Sequence, residues 1–430
     1  MDFWTLFPIL LLFVLFFLKV PVAYSMIISS IVYFNFAPDS PNVAVMVQKM
    51  IAANSSFTYL AIPFFTCAGV VFGYAGITKR LLGLCEMLVG HLRGGMAQVN
   101  ILLSALMGGL SGSANADAAL QAKMLVPQME KIGYSRSFSC AVTAASSCIT
   151  PIIPPGIILI LYASASEVSI ARMFYAGYIP GAFITACMMV LTWWISKKRG
   201  YLPSRERRAT GGEFAKALID AIPALFVPFG LILGLRFGIF TPTEAGAICV
   251  LYSVIVGFFF YRELKLSDIP KIIHESVLNT AGIMFILAGA QAFSTYLTWE
   301  RLPNIISEAL ISGISSPFIF LLVVNLILLV VGMFFDGGAA MILLAPLLVP
   351  AAQAIGVDLI HFGIVMSINL TIAGMTPPFG AMMFVATSIT DTKIEDYTRD
   401  AIPYIILLII CLLILTNVPG IVMFLPNLLS

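Results

Sequence analysis

The sequence predicts an all-α polytopic membrane protein with an inverted repeat, two re-entrant helical hairpins and two broken helices. Three observations carry this. Of 430 residues, 60% are hydrophobic and only 10% are charged, a composition outside the soluble globular class. Two apolar runs are interrupted at mid-membrane depth by small polar residues and by double prolines. The same arrangement then occurs a second time.

Apolar runs of about 17 residues serve as spans, at about 1.5 Å rise per residue across a hydrocarbon core of about 30 Å. The first half then reads as helices over 3–18, 20–36 and 57–76, and an amphipathic connector over 79–93. A hairpin over 96–130, a broken helix over 138–165 and a helix over 172–195 follow. The apolar start after Asp2 lacks a basic leader region, so it is expected to be a retained first helix rather than a cleaved signal.

In the hairpin, Ser111-Gly112-Ser113-Ala114-Asn115-Ala116-Asp117 breaks the apolar run. Backbone groups freed at this depth find no partner in lipid, so the interruption must line a protein-enclosed or watery cavity. In the broken helix, Pro154 and Pro155 have no N–H to give, and they release the carbonyls of Thr150 and Pro151. One double proline fits a simple kink as well as a site; its recurrence decides between them. Leu125-Val126-Pro127 returns as Leu348-Val349-Pro350 and Pro154-Pro155 as Pro377-Pro378, both displaced by 223 residues. Ala68-Gly69 returns as Ala288-Gly289, displaced by 220.

A basic linker over 197–216 therefore separates a first repeat, 1–196, from a second, 217–430. The second half repeats the order: helices over 219–238, 242–261 and 277–298, a connector over 299–314, a hairpin over 316–353, a broken helix over 360–389 and a last helix over 402–425. If each hairpin enters and leaves on one side, each half crosses the membrane an odd number of times and the second is inverted. Following that alternation, 19 of the 23 Lys and Arg fall on one face, including Lys19, Lys79, Arg80, Lys271 and the linker cluster. Lys49, Arg172, Arg236 and Arg301 fall on the other. Cytoplasmic loops are rich in Lys and Arg, which places both termini on the side away from the cytoplasm, periplasmic if the membrane is a bacterial inner one.

Two symmetry-related cation sites follow from the freed oxygens, which are the hard ligands Na⁺ takes in transporters with broken helices. One would use Ser111, Ser113, Thr150, Ile153 and Pro155; the other Gly332, Ala373, Thr376 and Phe379. Between them, the second arm of each hairpin points its N-terminus at the midplane, where it favours an anion. A carboxylate substrate would be received by Ser113, Asn115, Ser146 and Ser147 and, at the second tip, by Asp336, Gly337 and Gly338. Asp117 reads chiefly as a complement to its helix dipole; Asp336 reads equally as dipole partner or as ligand. Lys123 is expected to snorkel or pair locally.

Other functions find little support. The net charge of +2 gives no reason to expect a nucleic-acid partner, and there is no GxxxxGK[ST] loop for ATP. The seven cysteines are scattered through apolar segments, and neither they nor His91, His274 and His361 form a ligand set. No nucleophile-and-base pair or HExxH motif suggests an enzyme, and no organic cofactor is expected. Opposed half-membrane hairpins suit alternating access better than a continuous channel.

These residues resemble the large membrane (M) subunit of tripartite ATP-independent periplasmic (TRAP) transporters, over essentially the whole chain. The resemblance rests on Ser111-Gly112-Ser113-Ala114, Ile153-Pro154-Pro155, and Asn369-Leu370 followed by Thr376-Pro377-Pro378-Phe379-Gly380. It is greatest for sialic-acid-type members, though dicarboxylate members share these motifs. Gly156 stands where the family often has Ser, and Ala373 where it usually has Gly. The resemblance implies a bacterial inner-membrane protein and elevator-like, Na⁺-coupled uptake of an organic acid. It also implies a periplasmic substrate-binding (P) subunit and a small four-helix Q subunit, expected here as a separate chain. The alternative is a stand-alone Na⁺/carboxylate symporter.

Overall fold

In the computed structural model, which describes residues 3–18, 20–313 and 316–429, every regular element is helical. Among the described residues, seven helices are long and apolar enough to cross a membrane. A further pair, Ala61–Tyr74 and Ile77–Val89, is bent by 70°. That corner turns at Gly76, in the left-handed region at φ 74. That backbone conformation favours glycine, and a Cβ there would also push aside the Glu263 carboxylate, 2.3 Å away. Beyond it the amphipathic connector buries Ile77, Leu81, Leu84 and Cys85.

Local chemistry moves several boundaries from their expected places. The span expected over 57–76 begins at Ala61, after a separate helix Val43–Asn54 that the sequence reading omitted. Between them Ser55 turns its hydroxyl back to the Ile51 carbonyl, a local bond that competes with helix continuation. Its counterpart in the second half is one helix, Ile269–Trp299, starting well before the expected residue 277. The linker is shorter than 197–216, because Ile170–Arg199 runs on and Gly211–Arg236 starts early. There Thr210 and Glu213 form a reciprocal capping box, with Glu213 taking the Thr210 N–H at 2.8 Å. The last span, expected over 402–425, is two helices, Ile394–Asn417 and Pro419–Leu429, divided at the proline. Lys19 and residue 314 of the second connector lie outside the described residues.

The two halves interlock. Val22–Phe36 packs on Ile269–Trp299, and Pro242–Ile255 packs on Ala61–Tyr74, so each half packs a helix against one of the other half. The first hairpin, with arms Gly95–Ser111 and Ala114–Met124, sets its outer arm on Arg136–Ser147 and its inner arm on Ala381–Thr390. The second, with arms Pro317–Phe334 and Gly337–Ala354, sets its outer arm on Leu359–Met375 and its inner arm on Ile157–Ala165. Each inner arm thus meets the far half of the opposite broken helix, which gathers both tips and both breaks in one region. Arg136–Ser147 lies at the centre, buried from Phe138 onward. Its Ser, Ala and Cys side chains are small enough to let helix backbones approach closely, the usual basis of packing between helices in lipid.

Candidate substrate and cation site

The first hairpin turns through Gly112, at φ 58. A Cβ there would lie 2.3 Å from the Pro155 carbonyl oxygen, and the Gly112 carbonyl accepts from the Ile157 N–H at 3.3 Å. The tip is therefore clamped to the first double-proline break by backbone alone. Ser113 caps the inner arm, its hydroxyl accepting from the Ala116 N–H at 3.4 Å. One turn earlier a Cβ on Gly108 would lie 2.9 Å from the Thr150 carbonyl oxygen. Glycines thus let carbonyls of the break pack directly against the hairpin.

Asp117 sits in the inner arm's first turn, as expected for a dipole partner, but its carboxylate is turned into the hairpin and only 1% exposed. Ser104 donates to it at 2.8 Å, Thr150 at 3.0 Å, and the Gln121 amide to both its oxygens at 2.8 Å. Lys123 is exposed.

The second tip is built differently. Phe335 turns the chain with extended backbone, and Asp336 caps the inner arm by accepting from the Gly338 N–H at 3.0 Å. The other oxygen of Asp336 accepts from the Asn115 amide at 3.0 Å, so the two tips touch. At the second break, a Cβ on Gly380 would lie 2.5 Å from the Gly374 carbonyl oxygen and 2.8 Å from that of Thr376. Both double prolines contain a cis peptide bond.

A cavity of about 690 Å³ lies between the tips, the broken helices and the scaffold. Ser111, Ser113, Asn115, Asp336, Gly337 and Gly338 line it. Ser146 and Ser147 do not: both are fully buried, Ser146 donating to Asn100 at 2.7 Å and Ser147 to the carbonyl of Thr143 at 2.8 Å. Expected as substrate ligands, they instead hold the central helix together, because the side of the helix they occupy faces the first hairpin.

Of the first cation set, Pro155 and Thr150 meet the tip as described, while the Ile153 side chain packs on Gly108 and Gly181. Of the second set, Gly332 abuts Ala373. The Thr376 hydroxyl returns to Ile372 at 2.7 Å, and the exposed Phe379 ring packs on Phe334. The scaffold adds polar groups that the sequence reading missed: Thr66, Tyr74, Glu275 and Asn279, with Tyr74 donating to Glu275 at 2.7 Å. Asn279 inside an apolar span was an available signal; Glu275 lay before the expected start of that span.

The chain matches the family model described as "Tripartite ATP-independent periplasmic transporter, DctM component" over residues 9–421. It is 36% identical to the sialic acid TRAP transporter large permease protein SiaM of Vibrio cholerae, covering 96% of each chain. It is equally 36% identical to the C4-dicarboxylate TRAP transporter large permease protein DctM of Pseudomonas aeruginosa, covering 91% of each. Among solved structures, the YdaH transporter of Alcanivorax borkumensis shares the fold, with a TM-score of 0.63 at 13% identity, over 96% of this chain and 98% of that one.

Proposed function

The chain belongs to the DctM family, the large permease component of tripartite ATP-independent periplasmic transporters, and from that premise we propose that it carries an organic acid across the membrane coupled to Na⁺. It is a multi-pass membrane transport subunit and not an enzyme. The observation that carries the proposal is the convergence on one cavity of two capped helix N-termini, at Ala114 and Gly337, with residues flanking both double-proline breaks, Pro151 and Ile157 at the first and Gly374 and Ala381 at the second. Helix N-termini receive the carboxylate, and the cations offset its charge. Na⁺ would be held at the first break by carbonyls such as Thr150 and Pro155 with Ser111 and Ser113, and at the second by Gly332, Ala373, Thr376 and Phe379.

The substrate is an organic acid, sialic acid first and a C4-dicarboxylate second; relatives named for each are equally similar to this chain. The hairpins and broken helices form the moving elevator body against the scaffold helices. The two repeats, joined by the segment between Arg199 and Gly211, lie in opposite orientation. The chain lies in the bacterial inner membrane with both termini periplasmic, receives substrate from a periplasmic binding protein, and works with a small membrane subunit carried on a separate chain. At one end the cavity reaches Tyr74, Thr78 and Glu275, neighbours in sequence of Lys79, Arg80 and Lys271. Those basic residues mark the cytoplasmic face, which supports reading this conformation as open inward.

Uptake into proteoliposomes under an inward Na⁺ gradient tests the proposal, with labelled sialic acid and a C4-dicarboxylate, with and without the small subunit and binding protein. Uptake requiring Na⁺ and all components is expected. Uptake by this chain alone would favour a stand-alone symporter, and uptake indifferent to Na⁺ would remove the coupling.

A further inference from the structure

We propose that Asp117 is a positioning residue that makes the first cation site the tighter of the two, an inference that rests on the Na⁺ reading above. Its carboxylate takes hydrogen bonds from Ser104, Thr150 and Gln121, which are neutral donors contributed by both arms of the hairpin and by the break. The charged groups on its own arm and on the elements packed against it lie elsewhere: Lys123 is exposed, and Arg136 pairs with Glu130. Among the described residues, then, this buried acid has no ionic partner. Hydroxyl and amide donors offset only part of the cost of placing a carboxylate away from water. A cation at the adjacent break would supply the missing counter-charge.

Thr150 is the link. Its hydroxyl is 3.0 Å from Asp117, while its carbonyl belongs to the break and packs against Gly108, where an added Cβ would lie 2.9 Å from it. Asp117 therefore fixes the residue that presents an oxygen to the site, and adds a negative charge one hydrogen bond behind it.

The second half has no such device. The caps Ser113 and Asp336, and the two double prolines, correspond at a displacement of 223 residues. At that displacement Ser104, Asp117, Gln121 and Thr150 become Ile327, Ala340, Leu344 and Ala373. The whole polar cluster is replaced by apolar side chains, so the second site rests on oxygen dipoles without a fixed charge behind them. The two sites are unequal by construction, and the first fills at lower Na⁺.

The test is Na⁺ binding to the full chain in nanodiscs, without substrate, followed by titration calorimetry and by Na⁺-dependent melting, with choline as the control cation. The unsubstituted chain should bind in two phases. Asp117→Asn should weaken the tighter phase at least about tenfold and leave the weaker phase in place. Thr150→Val, which keeps the carbonyl and loses the hydroxyl, should weaken the same phase by less. The double variant should be no worse than Asp117→Asn alone, because both substitutions act on one link. An unchanged tighter phase in Asp117→Asn overturns the inference. Should that variant not fold, an unchanged phase in Thr150→Val overturns it equally. Absence of any Na⁺ binding in the unsubstituted chain would instead overturn the Na⁺ reading, and the inference with it.

Discussion

The two hairpins occupy equivalent places in the two halves, yet they close their tips with different materials. The first turns on a left-handed glycine and is held by backbone, with Gly112 against Pro155, while its acid is buried inside. The second turns on Phe335 and is held by aromatic rings from the first helix, Phe16 stacking on Phe335 at 4.6 Å and Phe13 meeting it edge-on at 6.2 Å. Its acid, Asp336, stands exposed at the tip and faces the cavity. A tip held by backbone tolerates no added atom, because neither a carbonyl nor a φ angle can be repacked. A tip held by side chains loses stability in proportion to the contact removed. The same topology can thus carry two sites of different character.

Gly112→Ala should have the largest effect. The new Cβ would meet Pro155 at 2.3 Å in a backbone region that disfavours L-residues by about 1–2 kcal/mol. Uptake in proteoliposomes should be lost while helix content by circular dichroism is kept, and Phe335→Leu at the other tip should retain uptake. Equal loss in both would break the contrast between backbone and side-chain closure.

Next, Ser111→Ala and Thr376→Ala should each raise the Na⁺ concentration giving half-maximal uptake by about 3–10-fold, the scale of one hydrogen-bonding group, with normal membrane insertion. If Na⁺ activation is unchanged in both, the assignment of two cation sites is wrong.

Phe16→Ala removes a ring pair worth about 0.5–1.5 kcal/mol beyond its buried area. Hydrogen–deuterium exchange should rise by several-fold around residues 333–338 and stay unchanged around 110–115. A rise at both tips would mean that they open as one unit. Asn115→Ala, the smallest change, removes the single bond between the tips, about 0.5–1.5 kcal/mol. Substrate affinity should fall no more than about tenfold, and an unaltered affinity would show that the tips act independently.

Both breaks and both hairpins were legible because lipid leaves few ways to satisfy a free backbone group, so glycine, serine and proline at mid-membrane depth stand out. Asp117 was only half legible. Its place in the first turn could be read, but the Asp117–Gln121 spacing, one helical turn on the same face, passed unnoticed. Ser146 and Ser147 misled because polarity shows that a residue needs a partner without saying which one; in the structure Asn100 and Thr143 are that partner.

By itself, then, the sequence determined the membrane class, the recurrence of the motifs, and the interruptions at the two hairpin tips and two double prolines, since each depends on composition or on the stereochemistry of a few adjacent residues. Only the tertiary structure decided that each inner arm packs on the opposite broken helix, that Asn115 reaches Asp336, that an acid is buried behind Thr150, and that Tyr74 and Glu275 enter the cavity wall. Those contacts join residues far apart in the chain. They depend on how the two halves interlock, which no local pattern of side chains records.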